Sequence, residues 1–330
     1  MTTFLATLTP MLTLFICIAI GFVLTKFKIL PDGSSKVLAK AEIWIFTPAL
    51  NFMTMVRFCT VETVGEHSIN IILGIIGVSF SMGVAILLSR FFAKKKSYDR
   101  GVYAYAMAFA NGGYMGDPII LALFGEMALS YYKLFYLPFS LMINSWGISV
   151  LTPSSGKKSN VWRKLLIPPP VALLAGIAVG LSGIGAYLPT FVTGSLDTLK
   201  ACMGPVAMLL AGATIAKYNF LSMLKNKKVY LISALKLLLM PALLVALIFG
   251  VKTLANVAFD LSIDNDVLFL AFFASASAIG LNTIVFPEAY GGDPESGAGL
   301  ALVSHTLCVI TLPVMYALMV TIFGTPFQLM

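Results

Sequence analysis

The chain has 330 residues, of which 59% are hydrophobic and only 11% are charged, whereas an ordinary soluble domain carries about 25% charged residues. The net charge of +8 does not indicate nucleic-acid binding, because the basic residues lie in short segments between long apolar runs, where they orient a membrane protein. The four cysteines form no CxxC or Cys/His cluster, so neither a metal site nor a disulfide framework is indicated.

Apolar runs recur along the chain that are long enough to cross about 30 Å of hydrocarbon as helices of about 20 residues. They predict an all-α polytopic membrane protein with ten transmembrane helices, here called spans 1 to 10, at about residues 9–26, 36–57, 69–92, 101–124, 130–151, 165–184, 195–216, 229–251, 267–290 and 298–323. The first residues lack the positive region of a signal peptide, so span 1 is expected to be retained.

Positive charge divides the loops into two sets. The loops after spans 1, 3, 5 and 7 hold most of the 22 Lys and Arg residues, and such loops lie on the cytoplasmic side. We therefore expect a multi-pass protein of the cell (inner or plasma) membrane with both termini extracytoplasmic. The loop after span 9 departs from the pattern, because it holds Glu288, Asp293 and Glu295 but no Lys or Arg. Lys133 and three other basic residues are assigned to the outer side.

The two halves of the chain share a pattern of prolines and polar breaks. Corresponding pairs are Pro31 and Pro189, Pro48 and Pro205, the segments NGGYMGDP (111–118) and GLNTIVFP (280–287), and Pro138 and Pro313. Because five is an odd number of spans, the second half must be inverted relative to the first, as in many secondary transporters. We expect a first repeat at residues 1–151, a cytoplasmic linker at 152–164 and an inverted second repeat at 165–330.

Spans 4 and 9 are each interrupted near the middle, at NGGYMGDP (111–118) and ASASAIGLNTIVFP (274–287). Gly and Pro break helices, and broken backbone is tolerated in a membrane only where protein or water satisfies it. Each break leaves a helix N-terminus, whose free N–H groups favour an anion. The pattern predicts a site for a small carboxylate, and the unwound carbonyls beside it are suited to Na⁺, in place of the anion or together with it.

Several stretches together resemble the auxin efflux carrier family of bacterial permeases, which is related to plant PIN auxin carriers and to the bile acid/sodium symporter superfamily. They are FTPALNF (46–52), NGGYMGDPIILALFGE (111–126), LKLLLMPALL (235–244) and HTLCVITLPV (305–314). The resemblance covers nearly the whole chain. It implies ten helices in two inverted repeats, with spans 4 and 9 crossing at Pro118 and Pro287.

The resemblance also implies a scaffold of spans 1, 2, 6 and 7, a moving core of spans 3–5 and 8–10, and organic anions such as malate, malonate or auxin-like acids as substrates. A homodimer through the scaffold is a further expectation from the family. The sequence departs from the family at Asp117, where an apolar residue is usual, and at His305, which replaces a small polar residue. The acid at Asp117 argues against a purely neutral, dipole-only site.

The candidate substrate-binding residues are Asn51, Asn111, Gly112, Gly113, Asn282 and Thr283, and the candidates for ion coupling are Asp117, Ser275, Ser277 and His305. Each has a structural alternative. The asparagines are also suited to capping broken helices, Asn51 to bonding between helices, and Asp117 to capping the half-helix near Pro118. His305 is expected near the membrane interface. The ammonium of Lys236 is expected to reach the cytoplasmic surface, with pairing to a core carboxylate or to the substrate as its alternative.

These features favour a secondary transporter of a small organic anion that works by alternating access, with or without coupling to H⁺ or Na⁺ and without a cofactor. Its expected partners are the anion and membrane lipids, not nucleic acid. No Ser/His/Asp triad, Walker loop or HExxH motif is present, so an enzyme is not indicated. A sodium-coupled symporter of the bile-acid type ranks second, and a membrane-embedded sensor or enzyme ranks lower.

Overall fold

The computed structural model describes residues 2–94, 97–152, 167–218 and 225–327. Lys95, Lys96 and the expected linker 152–164, except Thr152, lie outside the described residues. Within the described ranges the chain is helical, without a β-strand, and its one extended pairing is an isolated antiparallel bridge between Ala110 and Ile279.

The α-helices of the described residues, numbered in chain order, are α1 Thr2–Lys26, α2 Ser34–Ala41, α3 Thr47–Phe58, α4 Val61–Leu88, α5 Tyr98–Ala108, α6 Asp117–Met142, α7 Ile148–Leu151, α8 Pro168–Ser182, α9 Thr190–Lys217, α10 Lys227–Ala234, α11 Met240–Phe259, α12 Asp266–Ala276, α13 Asn282–Tyr290 and α14 Glu295–Phe323. Four π-helical turns, at Glu42–Phe46, Gly112–Gly116, Ile143–Gly147 and Leu235–Leu239, lead directly into the next helices. Such turns widen a helix locally and are frequent at functional sites.

Five helical stretches of the described chain are long and apolar enough to cross a membrane: His67–Phe91, Met127–Leu151, Thr190–Lys217, Lys227–Phe259 and Glu295–Phe323. Shorter apolar helices cover Phe15–Lys26, Pro168–Ser182 and Asp266–Ala276. These helices confirm the prediction of an all-helical polytopic membrane protein. Spans 2 and 4 are each divided among shorter helical segments, so length and apolarity alone do not establish a count of ten.

Glycine determines how closely two of the long helices approach. A Cβ added at Gly21 of α1 would overlap the carbonyl oxygen of Leu209 in α9, and one added at Gly212 would overlap the carbonyl oxygen of Ile18. The backbones of α1 and α9 are therefore in direct contact. Membrane helices associate through such small residues because burial against lipid tails provides little hydrophobic driving force.

Another glycine, Gly125, separates two predicted spans. Helix α6 contains a non-helical residue at Gly125, with φ 81° and ψ −173°, a conformation that is essentially restricted to glycine. The chain turns there, so the residues before Gly125 complete span 4 and those after it begin span 5.

Polar contacts join the ends of several helices at one end of the bundle. Lys217 Nζ donates to Glu288 Oε1 at 2.8 Å, which joins the end of α9 to α13. The Tyr98 hydroxyl donates to the carbonyl oxygens of Leu151 at 2.9 Å and Asp293 at 3.3 Å. The acidic segment between spans 9 and 10 therefore lies at the same end as the segments that lead into the basic loops.

Candidate functional site

The interruptions of spans 4 and 9 pair with each other through their backbones. The N–H of Asn111 donates to the carbonyl of Ala278 at 2.7 Å, and the N–H of Gly280 donates to the carbonyl of Phe109 at 3.4 Å. Both helices restart beyond this pairing, the first through the turn Gly112–Gly116 and the second at Asn282. The pairing therefore brings the N-termini of two helices together, where N–H groups lack acceptors within the helix. At the second N-terminus, the N–H groups of Thr283 and Ile284 already donate to the carbonyls of Gly280 and Leu281.

A cavity lies beside these restarting helices and encloses about 510 Å³ of empty space, counting its open mouth. Its walls come from spans 2, 4, 5, 7 and 9. The residues that line it are Thr47, Leu50, Asn51, Ala110, Asn111, Gly112, Gly113, Tyr114, Tyr136, Ser140, Ile143, Asn144, Met203, Gly280, Leu281, Asn282 and Phe286. None of these described residues is charged, and amides and hydroxyls supply its polar lining.

Asn111 is only 1% exposed, and its side chain is held by His305 of α14. Asn111 Nδ2 lies 3.1 Å from His305 Nε2, and the other ring nitrogen, Nδ1, lies 2.8 Å from the carbonyl oxygen of Ala301. Since a carbonyl only accepts, Nδ1 donates to it, and Nε2 is then the acceptor for the amide. The geometry thus favours a neutral ring, and it leaves the Asn111 amide one further hydrogen to donate.

The expected interfacial position of His305 is wrong, because this side chain is 2% exposed. Helix α14 begins at Glu295, so His305 lies about 15 Å along the helix from its start, at 1.5 Å per residue. At that depth the ring packs against Asn111, behind the interruption of span 4.

The other predicted substrate residues are placed differently from one another. Asn282 lines the cavity and donates from Nδ2 to the Tyr105 hydroxyl at 3.2 Å. Asn51 lines the opposite wall and donates to the carbonyl of Pro169 in α8 at 3.0 Å, so it both faces the cavity and joins two helices. Thr283 is fully buried, donates to the Gly280 carbonyl at 3.0 Å and is absent from the cavity lining.

Asp117 forms an ion pair with Lys133, whose ammonium donates to Asp117 Oδ2. It makes no side-chain capping bond at the start of α6, so the capping alternative is not supported by its contacts. Lys133 is 7% exposed, so it lies inside the helix bundle and not in an exposed loop. Lys200 of α9 also lies close enough to act electrostatically on both residues. Asp117 therefore faces cations beside the cavity and not the cavity itself.

Ser275 and Ser277 flank the end of α12 and are 2% and 1% exposed. Neither hydroxyl has a hydrogen-bond partner among the described residues. Lys236 is also fully buried, and its ammonium likewise lacks a partner there. The expectation that Lys236 extends to the surface is wrong, because its π-helical turn packs against α5, α12 and α14 and directs the side chain into the core.

Sequence reasoning missed several cavity residues. Tyr136, Ser140 and Asn144 occur four residues apart and form one face of span 5, while Thr47 and Asn51 form a second such pair on α3. Polar residues at this spacing share a helix face, so a search for polar stripes on otherwise apolar spans is the signal that identifies them. Glu42, which lies outside the cavity wall, was also missed, because it follows the basic residues Lys36 and Lys40 in the sequence and resembles an interfacial charge.

The two glycines of NGGY make a matched test of packing at the site. A Cβ at Gly112 would lie 2.5 Å from Tyr136 Cζ and 2.7 Å from the Tyr132 hydroxyl, whereas one at Gly113 would meet nothing nearer than 3.8 Å. We expect Gly112→Ala to lower stability by about 1–3 kcal/mol through overpacking, and Gly113→Ala to leave the thermal midpoint unchanged. Fluorescence-detected size exclusion after heating measures both, and equal midpoints for the two variants would contradict this packing.

Comparison with known proteins places the chain in a family. The family model described as "Membrane transport protein" matches residues 6–161 and 157–316. The chain is 24% identical over 243 residues to an "Uncharacterized transporter" of Methanothermobacter thermautotrophicus, covering 72% of this chain and 77% of that protein. It is 23% identical over 208 residues to a second "Uncharacterized transporter", from Methanocaldococcus jannaschii, covering 62% of this chain and 68% of that protein. The chain belongs to the membrane transport protein family, that of the auxin efflux carriers, and is a transporter rather than an enzyme.

Proposed function

We propose that the protein is a secondary transporter of a small organic anion, such as a mono- or dicarboxylate of the malate, malonate or auxin-like type. The observation that carries this proposal is the cavity at the paired interruptions of spans 4 and 9. Its polar lining includes the amides of Asn51, Asn111 and Asn282, and it lies beside the N-termini of two helices. These are neutral donors, suited to a carboxylate that must be bound and then released.

A neutral site fits transport better than a site built on lysine or arginine. Hydrogen bonds to a charged group contribute about 1.5–3 kcal/mol each, so a few of them suffice for moderate affinity. A buried ion pair between a fixed cation and the substrate would demand a larger reorganisation at release. Asp117, which would repel an anion, is paired with Lys133 and does not line the cavity.

For the architecture we propose ten spans arranged as two inverted repeats, at residues 1–151 and 165–330 on either side of the linker 152–164. The double match of the family model, at 6–161 and 157–316, supports this division. The antiparallel pairing of Ala110 with Ile279 supports a crossing of two related interruptions. A core of spans 3–5 and 8–10 would carry the cavity past the scaffold of spans 1, 2, 6 and 7, in an elevator-type motion.

We further propose that the protein lies in the cell membrane with both termini outside, among lipids and as a homodimer through the scaffold. The contact between Lys217 and Glu288 supports this orientation, because it joins the acidic segment after span 9 to the end that leads into the basic loops. Positive loops face the cytoplasm, so this end would be the inner one.

Sodium coupling, as in the bile-acid-type symporters, is the second candidate. The buried hydroxyls of Ser275 and Ser277, which have no partner among the described residues, favour it because oxygen ligands suit hard cations. Asp117 and His305 remain the other proposed coupling groups. No cluster of three His, Cys, Asp or Glu residues that could hold a metal ion occurs in the described part of the chain, so a sodium ion would depend on hydroxyl and carbonyl oxygens.

The test is binding followed by transport. The purified protein is screened by thermal shift against malate, malonate and indole-3-acetate, each with Na⁺ and with choline as the matched cation, and then assayed for uptake into proteoliposomes. We expect at least one acid to raise the midpoint, because ligand binding stabilises the folded state by mass action, and to be taken up. Neutral analogues in which the carboxylate is an amide are the control. Equal binding of acids and amides would refute the anion proposal.

A further inference from the structure

Glu42 is a buried carboxyl group that the proposed site does not use. It lies in the π-helical turn Glu42–Phe46 between α2 and α3 and is 0% exposed. The Thr47 hydroxyl donates to its Oε2 at 3.5 Å, a long hydrogen bond. Its Oε1 has no hydrogen-bond partner among the described residues. An ionised carboxylate in such surroundings costs several kcal/mol, so the group is stable here only when it carries a proton.

The neighbouring helices supply no countercharge. The elements that pack against the Glu42–Phe46 turn are α2, α3, α8, α9 and α13. Within the described residues their titratable side chains are Lys36, Lys40, Arg57, Asp197, Lys200, Cys202, Lys217, Glu288 and Tyr290. None of these acts on Glu42, whose polar neighbours are the Thr47 hydroxyl and the backbone of Ala207.

The charged members of that set are engaged elsewhere or face solvent. Arg57 pairs with Asp197, and Lys217 pairs with Glu288. Lys200 lies beside Lys133 and Asp117, and Lys36 and Lys40 are exposed. Among the described residues, the titratable group that interacts with Glu42 is the phenol of Tyr114, from the Gly112–Gly116 turn.

Glu42 is nevertheless one side chain away from the cavity. Thr47 and Tyr114 both line the cavity, and both lie beside the Glu42 carboxyl. Glu42 itself is not in the cavity wall. The carboxyl is thus screened from bulk water, but a single hydroxyl separates it from the space that the cavity offers to a ligand.

We propose that Glu42 is the proton-carrying group of the transport cycle, which must be protonated for the organic anion to bind and which couples anion movement to H⁺. This inference rests on the proposed function and specifies its coupling ion. The ion-pair partners, the serine hydroxyls and His305 then serve structure or binding.

The chemistry requires only one hydrogen-bond reversal. When Glu42 is protonated, its O–H can donate to Thr47 Oγ1, and the Thr47 hydroxyl is then free to donate its own hydrogen into the cavity. When Glu42 loses the proton, the Thr47 hydroxyl turns back to the carboxylate, and a buried negative charge faces the anion across that hydroxyl. Because charges interact strongly at low dielectric, the anion is admitted in the first state and repelled in the second.

The first test is independent of the substrate. Infrared difference spectra of wild type against Glu42→Gln, recorded between pH 5 and 9, report the carbonyl stretch of a protonated carboxyl. We expect a band at pH 7 that is present in wild type and missing in Glu42→Gln. Glu62→Gln, which removes an exposed acid at the start of α4, is the matched control and should retain the band. Absence of a difference between wild type and Glu42→Gln at pH 7 overturns the proposal.

The second test measures coupling with labelled malonate in proteoliposomes whose membrane potential is clamped at zero. With one proton per malonate, a gradient of one pH unit drives about tenfold accumulation. We expect this ratio in wild type and Glu62→Gln, and a ratio of about one in Glu42→Gln, which should still exchange malonate at a rate independent of pH. Gradient-driven accumulation by Glu42→Gln overturns the proposal. Failure of wild type to move malonate or the other acids instead refutes the proposed function, and the infrared result then decides whether Glu42 carries a proton.

Discussion

Replacing Asn111 or Asn282 with alanine is expected to weaken uptake of the transported acid in proteoliposomes strongly, and replacing both is expected to abolish it, while the protein stays folded. Both amides line the cavity on opposite sides of the paired interruptions. Loss of a hydrogen bond to a charged ligand removes about 1.5–3 kcal/mol, which is on the order of 10- to 100-fold in affinity. The double variant should therefore bind too weakly for measurable uptake. Thermal shift with the acid and initial uptake rates measure the two effects separately.

Controls distinguish a ligand from a structural asparagine. Asn70 of α4 is 7% exposed and lies outside the cavity, so Asn70→Ala is the matched change and should leave the apparent affinity near that of wild type. His305→Ala removes the bond that holds Asn111 but leaves its amide in the cavity, so it should retain more binding than Asn111→Ala. Normal uptake by both cavity variants would refute the site, and equal losses in His305→Ala and Asn111→Ala would assign Asn111 to structure alone.

Local signals in the sequence account for the parts that were predicted. Apolar runs predict membrane helices because the bilayer imposes their length, and the helices found within the described residues confirm a polytopic protein. Gly and Pro within NGGYMGDP predict the interruption of span 4, which the structure places at Phe109–Asn111 before the chain restarts at Gly112. The family resemblance is confirmed as well. The roles of the site residues stay predictions.

Partners that are distant in sequence account for the features that were missed. The bond between Asn111 and His305 spans 194 positions, and nothing near either residue in sequence indicates it. The pairing of Asp117 with Lys133 spans 16 positions and depends on the turn at Gly125, which brings the two helices of α6 together. Counting charges places Lys133 in a loop, because the sequence does not show that Asp117 is buried beside it.

The position of Glu42 was missed for a related reason. In the sequence it follows Lys36 and Lys40 and precedes an apolar run, as an interfacial acid would. The π-helical turn adds a residue to the helix and rotates the next residues about the helix axis, so that the carboxyl points toward Thr47 and not toward solvent. Periodicity with 3.6 residues per turn does not anticipate such a rotation.

Breaking the buried ion pair between Asp117 and Lys133 is expected to be among the most destabilising single changes. Their side chains are 14% and 8% exposed, and removal of one partner from a buried pair costs about 3–5 kcal/mol. The two single variants should differ. Asp117→Asn leaves two cations, Lys133 and Lys200, facing each other, whereas Lys133→Met leaves Asp117 with Lys200 as a remaining counter-ion. We therefore expect Asp117→Asn to be the less stable variant.

The double variant Asp117→Asn with Lys133→Met should recover much of the loss, because it removes the unpaired charge. Arg57 and Asp197 form the matched control, since their side chains are 47% and 34% exposed, and breaking an exposed pair costs about 0–1 kcal/mol. Thermal midpoints in detergent measure all of these variants. If Asp117→Asn proves as stable as wild type and at the same time loses its dependence on an imposed proton or sodium gradient, then Asp117 and not Glu42 is the coupling group. If a destabilised Asp117→Asn protein retains its gradient dependence, the ion pair stabilises the fold and takes no part in ion coupling.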